Sequence, residues 1–201
     1  MFELVTKNVP FPKPYPGVTR KPPTVSDKGW DKVGGYTLRD KIDFNTQKGM
    51  QERVVACKSN LIFLCGESQM GKTYSMFLKA LNGVGRQGYT GRFISVRLQD
   101  SKKGSSIFRD AVEVMGNFGG CQYSSADYPT FNWPQWNNSV QLIHSNFNVE
   151  NPSEWDDFKD YAKKNQASYI GIDEATEMKS FKMFAYWFSR NRDSSGMTPC
   201  M

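Results

Sequence analysis

Short apolar runs alternate with helical apolar spacing along most of this chain. Five consecutive apolar residues at 61–65 end at a glycine and predict a buried strand, and residues 72–81 then show the spacing of a helix. The full set of predicted strands is 61–65, 92–98, 140–144 and 169–172, and the predicted helices are 72–81, 105–115, 153–164 and 177–189. This alternation is typical of an α/β domain in which helices flank a mostly parallel central sheet.

The beginning of the chain has a different composition. Six of the ten prolines fall within the first 23 residues, which excludes a helix there and predicts an extended arm. Gly34, Gly35 and the polar stretch to Lys48 continue the irregular region. We therefore divide the chain into a Pro-rich extended arm at 1–45 and an α/β domain at 46–201.

Composition narrows the class of protein. A chain of 201 residues buries about 70% of its unfolded surface, so its core needs no disulfide or metal. No apolar run approaches the roughly 20 residues of a membrane helix, and the N-terminus lacks a signal core. The four cysteines form no C-x-x-C pair, and His144, the single histidine, does not complete a zinc set with them. We expect a protein of the reducing cytoplasm without a membrane segment.

The charge is unevenly distributed. The net charge is +6, and residues 1–100 carry 16 Lys and Arg against 8 Asp and Glu, whereas the remainder carries 10 against 12. The basic half indicates either contact with a polyanion such as DNA or an ordinary solvated surface.

One segment carries a strong chemical signal. Between the predicted strand at 61–65 and the predicted helix at 72–81 stands Gly66-Glu67-Ser68-Gln69-Met70-Gly71-Lys72-Thr73, which matches G-x-x-x-x-G-K-[ST] at every fixed position. The glycines let successive N–H groups point at an anion beside a positive helix end. We expect Lys72 to reach the β- and γ-phosphates of ATP, and the Thr73 hydroxyl to ligate Mg²⁺. We call residues 66–73 the phosphate loop.

A second segment supplies the acidic groups that such a loop requires. Asp173 and Glu174 follow the predicted strand at 169–172. Asp173 is expected to help hold Mg²⁺, and Glu174 to polarise a water for attack on the γ-phosphate. A carboxylate next to the metal-binding Asp favours hydrolysis over transfer to a small substrate.

These residues resemble a known family, the ATPase domain of the large terminase subunit, which is the DNA-packaging motor of tailed double-stranded DNA bacteriophages. The resemblance covers about residues 46–201, and the order and spacing of its segments are what look like a terminase. Those segments are the phosphate loop, 92–97 with a polar linker and a Phe-Arg helix after it, 136–143, 170–177 and 188–192.

The resemblance implies a P-loop ATPase of the additional-strand type, which hydrolyses ATP with Mg²⁺ and drives double-stranded DNA into a procapsid. It implies assembly with the portal and the small terminase subunit as a ring, usually of five subunits, with a monomer as the alternative state in isolation. The place of action would be the cytoplasm of the infected bacterial host, at the procapsid portal.

Other functional positions of the family match this sequence less directly. Gln51 lies where the family places a glutamine that contacts adenine. Many terminases carry an arginine within the phosphate loop, where this chain has Ser68 or Gln69. The family's intersubunit arginine finger often lies shortly before the acidic strand, where this chain has lysines. The candidates for a finger or sensor are Lys163, Lys164, Arg190, Arg192, Arg97 and Arg109, each of which is also an ordinary surface charge.

In the family, a strand with a coupling motif and then a ribonuclease-H-like nuclease domain follow the arginine-containing helix. Residues 189–201 run up to that point, and the chain has no carboxylate cluster of a nuclease. The resemblance therefore implies an ATPase domain that is incomplete at its C-terminus and lacks the nuclease domain.

Two other classes of function stay open. A P-loop DNA helicase or AAA-type remodelling ATPase uses the same two motifs on a different client. A nucleotide-binding module without turnover is the second alternative, because a sheet that lacks the coupling strand can bind nucleotide without hydrolysing it.

Overall fold

The computed structural model describes residues 24–25, 42–43, 50–57, 59–65, 71–86, 88–97, 104–116, 118–124 and 128–192. Within the predicted arm, β1 (Thr24–Val25) pairs antiparallel with β2 (Ile42–Asp43). The prolines on which the extended arm was predicted lie outside the described residues.

A five-stranded sheet is the centre of the fold. Its strands are β3 (Thr90–Ser95), β4 (Gln122–Ser124), β5 (Thr130–Trp133), β6 (Asn138–His144) and β7 (Tyr169–Asp173), in the order β4-β5-β6-β3-β7. Strands β6, β3 and β7 are parallel, whereas β5 pairs antiparallel with β6, and β4 pairs antiparallel with β5. The α/β prediction is confirmed, and the parallel part brings the carboxyl ends of three strands to one edge.

Helices pack on the sheet and at its edge. They are α1 (Met50–Ala56), α2 (Lys72–Ala80), α3 (Ser106–Ala111), α4 (Pro152–Lys164) and α5 (Phe181–Arg190). Because successive side chains of a strand point to opposite faces, Phe93 packs in the cluster with α2 and α3, and Ile94 packs in the cluster with α4 and α5. The Phe77 and Phe93 rings stack with their centroids 4.3 Å apart and fix α2 on β3.

The second face is built largely from aromatic side chains. Phe158 of α4 and Trp187 of α5 are both fully buried, and their ring centroids lie 5.8 Å apart at nearly perpendicular planes. Ile170 of β7 packs in the same cluster. The helix predicted at 153–164 is confirmed and begins at Pro152, where the Asn151 side chain caps it by accepting a hydrogen bond from the Ser153 N–H.

The strand predicted at 61–65 is wrong. This segment has no regular secondary structure, and among the described residues no strand pairs with it. A strand exists only where a neighbour accepts and donates its backbone hydrogen bonds, so an apolar run does not by itself create one. The segment instead lines a cavity beside β7.

Two predicted helices change at their ends. The helix predicted at 105–115 is α3 followed by a π-helical turn, Val112–Gly116. The helix predicted at 177–189 begins only at Phe181, after the 3-10 turn Ala175–Glu177. Ser105 and Ser180 cap α3 and α5 through their side chains, which sets both starting points.

Residues 130–136, for which the sequence predicted no element, form β5 and a 3-10 turn, Pro134–Trp136. Trp133 and Trp136 are buried in the core, and His144 ends strand β6. Cys57, Cys65 and Cys121 are free thiols. In the part of the chain that the structure describes, no helix has the length and apolar character needed to cross a membrane.

Candidate nucleotide site

The carboxyl ends of β3 and β7 define the candidate site. The two strands are parallel neighbours, and Ser95 and Asp173, their last residues, are paired in register. Helix α2 lies on one face of these strands and begins at the same edge, where Thr73 of its first turn meets Asp173. Side chains from three separate parts of the sequence therefore converge at this edge.

The contact between Thr73 and Asp173 joins the two predicted motifs. The Thr73 hydroxyl donates to the Asp173 carboxylate, with Oγ1 at 3.3 Å from Oδ1 and 3.4 Å from Oδ2. These residues are 100 positions apart in the sequence, so only the tertiary fold brings them together. The nearly equal distances place the hydroxyl between both carboxylate oxygens, so three oxygen atoms lie close together at this position.

The start of α2 has the properties of an anion site. Its N-cap residue, Gly71, has φ 74° and ψ 25° and provides no side-chain cap, and the first turn holds no acidic residue. In contrast, side chains of Ser105, Asn151 and Ser180 cap α3, α4 and α5. The N-cap residue of α2 thus contributes no capping side chain, and the positive dipole end of this helix favours an anion beside it.

Gln51 of α1 lies against this helix start. Its side chain is buried, with 3% of its surface exposed, and Nε2 lies 3.0 Å from the point that a Cβ would occupy at Gly71. Helix α1 is itself tied to α2 at its other end. The Lys79 ammonium donates to the Val55 carbonyl at 3.2 Å and also to the Cys57 carbonyl, and Asn82 Nδ2 donates to Val55 O at 2.9 Å.

A cavity of about 460 Å³ opens beside these groups. Its polar wall includes Lys72, Asp173 and Glu174, and its apolar wall includes Phe63, Met76 and Phe184. Sites for small molecules typically have volumes of about 300–1,000 Å³ and are mainly apolar with a few convergent polar groups. This cavity fits that description, with its charged side chains at the edge where the parallel strands end.

Glu174 lines the cavity and has a strained backbone conformation. It is exposed and has φ 52° and ψ 42°, the left-handed region that residues with a Cβ seldom adopt. The 3-10 turn that follows is bound to β3 through Arg97 and Glu177: Arg97 Nε donates to Glu177 Oε2 at 2.7 Å, and Nη2 donates to Oε1. This pairing lowers the pKa of the Glu177 carboxyl below its ordinary value.

The predicted site residues fall into three groups. Lys72, Thr73, Asp173, Glu174 and Gly71 lie at this edge, and Gln51 packs against Gly71. The remaining loop residues, Gly66, Glu67, Ser68, Gln69 and Met70, lie outside the described residues. The finger candidates form the third group.

The four main finger candidates lie toward the opposite end of β7. Lys163 and Lys164 end α4, Arg190 ends α5, and the Arg192 N–H donates to the carbonyl of Ala167 just before β7. A five-residue strand spans about 17 Å, so these cations are not brought to Asp173 within one chain. Their action on a neighbouring subunit stays a prediction.

The pair of Arg97 and Glu177 is the part of the site that the sequence did not identify. Arg97 was only one of several finger candidates, and Glu177 was assigned to a helix. The available signal was positional, because residues that follow adjacent parallel strands share an edge of the sheet.

Comparisons with known proteins give a fold likeness and no family assignment. No family model matches the sequence, and no curated protein matches it. The structure is similar to the ATPase domain of the large terminase of Thermus phage P74-26, with 14% sequence identity and a TM-score of 0.49. The likeness covers 72% of this chain and 59% of that one. At this level of similarity, what the site does must be argued from its own geometry.

Proposed function

We propose that this chain is a P-loop domain that binds and hydrolyses ATP with Mg²⁺, and that it acts as the ATPase motor of a phage large terminase. The hydrolase part rests on the site. The motor part rests on the resemblance of residues 46–201 to the terminase ATPase domain, in the order and spacing of its segments.

The observation that carries the proposal is the contact of Thr73 with Asp173. A hydroxyl at the start of a helix and a carboxylate at the end of a neighbouring strand have no structural need to meet. In P-loop enzymes these two groups jointly hold the magnesium ion of the bound nucleotide. Their distances of 3.3 and 3.4 Å fit that role.

The donor set fits Mg²⁺ in particular. Thr73 and Asp173 offer oxygen atoms alone, which are the ligands this ion prefers, and the ion usually takes one or two protein groups together with phosphates and waters. Among the described residues, no group of three or more His, Cys, Asp or Glu side chains could hold a metal by itself. When bound, the ion neutralises charge on the phosphates.

The chain's own groups have separate duties in this proposal. The amides at the start of α2 bind phosphate oxygens, and Lys72, on the cavity wall, holds the charge of the β- and γ-phosphates. Glu174 orients a water in line with the γ-phosphate and accepts its proton. The apolar wall with Phe63 and Phe184 limits the access of other waters to that position.

Double-stranded DNA, the portal and the small terminase subunit are the partners that this function requires. In a ring of chains, one of the surface cations near the start of β7 would reach the nucleotide site of the next subunit. The cytoplasm of an infected bacterial host, at the procapsid portal, is the corresponding place of action.

Two substitutions test the ATPase proposal. Lys72→Ala should abolish nucleotide binding, because the phosphate charge loses its partner, and Glu174→Gln should keep binding while turnover falls by about a hundred-fold or more. A fluorescent ATP analogue measures binding, and phosphate release measures turnover, with and without double-stranded DNA.

A partly exposed lysine and an exposed glutamate, both outside the cavity lining, supply the controls. Lys159→Ala and Glu150→Gln should retain binding and turnover. Full activity of Lys72→Ala or of Glu174→Gln would remove the assignment. Binding without any turnover in the parent chain would instead favour the nucleotide-binding module.

A further inference from the structure

The backbone of Glu174 requires something to hold it. Its φ of 52° is costly for a residue with a Cβ, and such conformations persist where the surrounding structure fixes them. The residue lies directly after β7 and begins the 3-10 turn Ala175–Glu177. Whatever fixes this turn therefore also fixes the direction in which the Glu174 side chain leaves the sheet.

Burial of the turn's own side chains does not fix it, and the nearest packing contact is that of Met178, the residue after the turn, with the cluster of α4 and α5. None of its three residues is buried, and Glu174 is exposed as well. The turn has two backbone bonds of its own, from Glu177 N to Glu174 O at 2.8 Å and from Met178 N to Ala175 O at 3.2 Å. These bonds close the turn on itself but do not orient it on the domain.

The side chain of Glu177 makes the connection to the domain. Arg97 binds it with two parallel hydrogen bonds, one of them from Nε to Oε2 at 2.7 Å. A planar guanidinium that meets a carboxylate in this way fixes direction as well as distance. A lysine at the same position would supply charge without the second bond.

The backbone of Arg97 is hydrogen-bonded to the last residue of β3. Its N–H donates to the Ser95 hydroxyl at 3.2 Å, and that hydroxyl donates to the Arg97 carbonyl at 2.9 Å. Ser95 is buried, with 3% of its surface exposed, and it is the register partner of Asp173. The segment from Asp173 to Glu177 is thus bound to β3 at its first residue and to Arg97, just after β3, at its last.

We propose that Arg97 and Glu177 form a positioning pair that holds Glu174 in the orientation from which it polarises the attacking water. This inference rests on the proposed ATPase function. Arg97 acts through Glu177 and the turn, so it is a positioning residue and not a group that touches the nucleotide.

The energetics separate positioning from simple stabilisation. Arg97 exposes 58% of its side chain and Glu177 exposes 35%, and exposed ion pairs contribute little to stability. Loss of the pair should therefore leave the domain folded and the phosphate contacts intact. A small displacement of a group that directs the reacting water, in contrast, can lower a rate by up to a hundred-fold.

The experiment uses the full chain, four variants of the pair and one control variant. Arg97→Gln and Glu177→Gln each break the pair, the double variant removes both partners, and Arg97→Lys keeps the charge without the fork. Lys159→Gln is the matched control, because it breaks the exposed ion pair with Asp156 on α4, outside the cavity lining. Each protein is measured for ATP turnover, for the Kd of a fluorescent ATP analogue, and for amide hydrogen exchange at Glu177 and Met178.

The expected result is a split between the readouts. Arg97→Gln and Glu177→Gln lower turnover by about ten- to a hundred-fold with a Kd within about two-fold of the parent, and the two amides exchange faster. The double variant is no slower than the slower single variant, since both changes break one pair. Arg97→Lys is intermediate, and Lys159→Gln matches the parent.

Two results would overturn the proposal: unchanged exchange at Glu177 and Met178 in Arg97→Gln, or faster exchange with turnover equal to that of the parent. Multiplicative losses in the double variant would also contradict it, because the residues would then act separately. A parent chain without turnover would refute the proposed ATPase function instead, and the exchange data would still decide whether the pair orders the turn.

Discussion

Gly71 meets three structural requirements of the site at once. Its φ of 74° favours glycine, and a Cβ there would lie 3.0 Å from Nε2 of Gln51. The same residue begins α2 without a capping side chain. Backbone conformation, close packing against α1 and a helix start without a capping side chain therefore all depend on the absence of one side chain.

We expect Gly71→Ala to be more damaging than Gly104→Ala. Both glycines have positive φ, at 74° and 91°, but nothing lies within 4 Å of a Cβ at Gly104. The left-handed conformation alone costs about 1–2 kcal/mol in either variant. Gly71→Ala should lose more stability in urea unfolding and also weaken binding of a fluorescent ATP analogue.

A second pair of variants separates backbone strain from the contact with Gln51. Adding Gln51→Ala to Gly71→Ala should recover the part of the stability that the steric contact removed. Equal stability and equal binding in Gly71→Ala and Gly104→Ala would show that the contact with Gln51 has no role.

Among single residues, the sequence predicted those that belong to a contiguous motif or directly follow a recognisable strand. Lys72 and Thr73 belong to one contiguous motif, and Asp173 and Glu174 follow one recognisable apolar strand. The partnership of Arg97 with Glu177 could not be predicted, because it depends on which strands are neighbours and on where the turn after β7 ends.

The approach of α2 to β7 is the element-scale feature that creates the site. Gly171 in the middle of β7 permits it, since a Cβ there would lie 3.0 Å from the Tyr169 hydroxyl and 3.1 Å from Met76 Cε. The Tyr169 hydroxyl donates to the Met76 carbonyl at 2.9 Å and binds the helix to the strand. Close contact along the helix keeps Thr73 within reach of Asp173.

We therefore expect Gly171→Val to weaken nucleotide binding. The added side chain would move α2 away from β7 and separate Thr73 from Asp173, which should raise the Kd for Mg²⁺ and an ATP analogue by about ten-fold. Titration of the fluorescent analogue in the presence of Mg²⁺ measures this change.

Gly91→Val is the matched control for crowding. Gly91 lies in β3, and a Cβ there would approach Val140 of β6 to 3.0 Å, away from the contact of α2 with β7. Both variants should lose about 1–3 kcal/mol of stability, as overpacked cores do. A folded Gly171→Val protein with the parent's affinity would contradict the role given to this close approach.

Most helices could be predicted because each buries one apolar face on the sheet, and the central strands because they are short apolar runs packed on both faces. The wrong strand at 61–65 shows the limit of that signal, since an apolar run reports burial and not the hydrogen bonds of a ladder. The short strands β4 and β5 were missed for a related reason. Their pairing is antiparallel and set by the neighbouring β6, while their own sequence is turn-like and aromatic.

At the scale of the whole molecule, one sheet is shared by two cores. Strands β3, β6 and β7 each contribute side chains to both clusters, so both helical layers pack on the same three strands. We expect the sheet and its two layers to unfold as one cooperative unit. A ligand that binds at the edge of β3 and β7 should then stabilise both layers together.

The last prediction follows from this coupling. A ligand that binds only the native state stabilises it by RT ln(1 + [L]/Kd), which is about 2.7 kcal/mol at a hundred times the Kd. For a chain of this size, each kcal/mol raises Tm by about 2–4 °C, so Mg²⁺ and ATP together should raise it by about 5–10 °C. EDTA should reduce the rise, because it removes the Mg²⁺ that Thr73 and Asp173 would hold together with the phosphates. Lys72→Ala should remove the rise in Tm, whereas Glu174→Gln should keep it, since the latter residue acts on water and not on binding.

A thermal scan followed by two probes, near-UV and far-UV circular dichroism, checks both the shift in Tm and its cooperativity. An unchanged Tm at saturating nucleotide would contradict binding itself, and a shift confined to one probe would contradict the shared sheet.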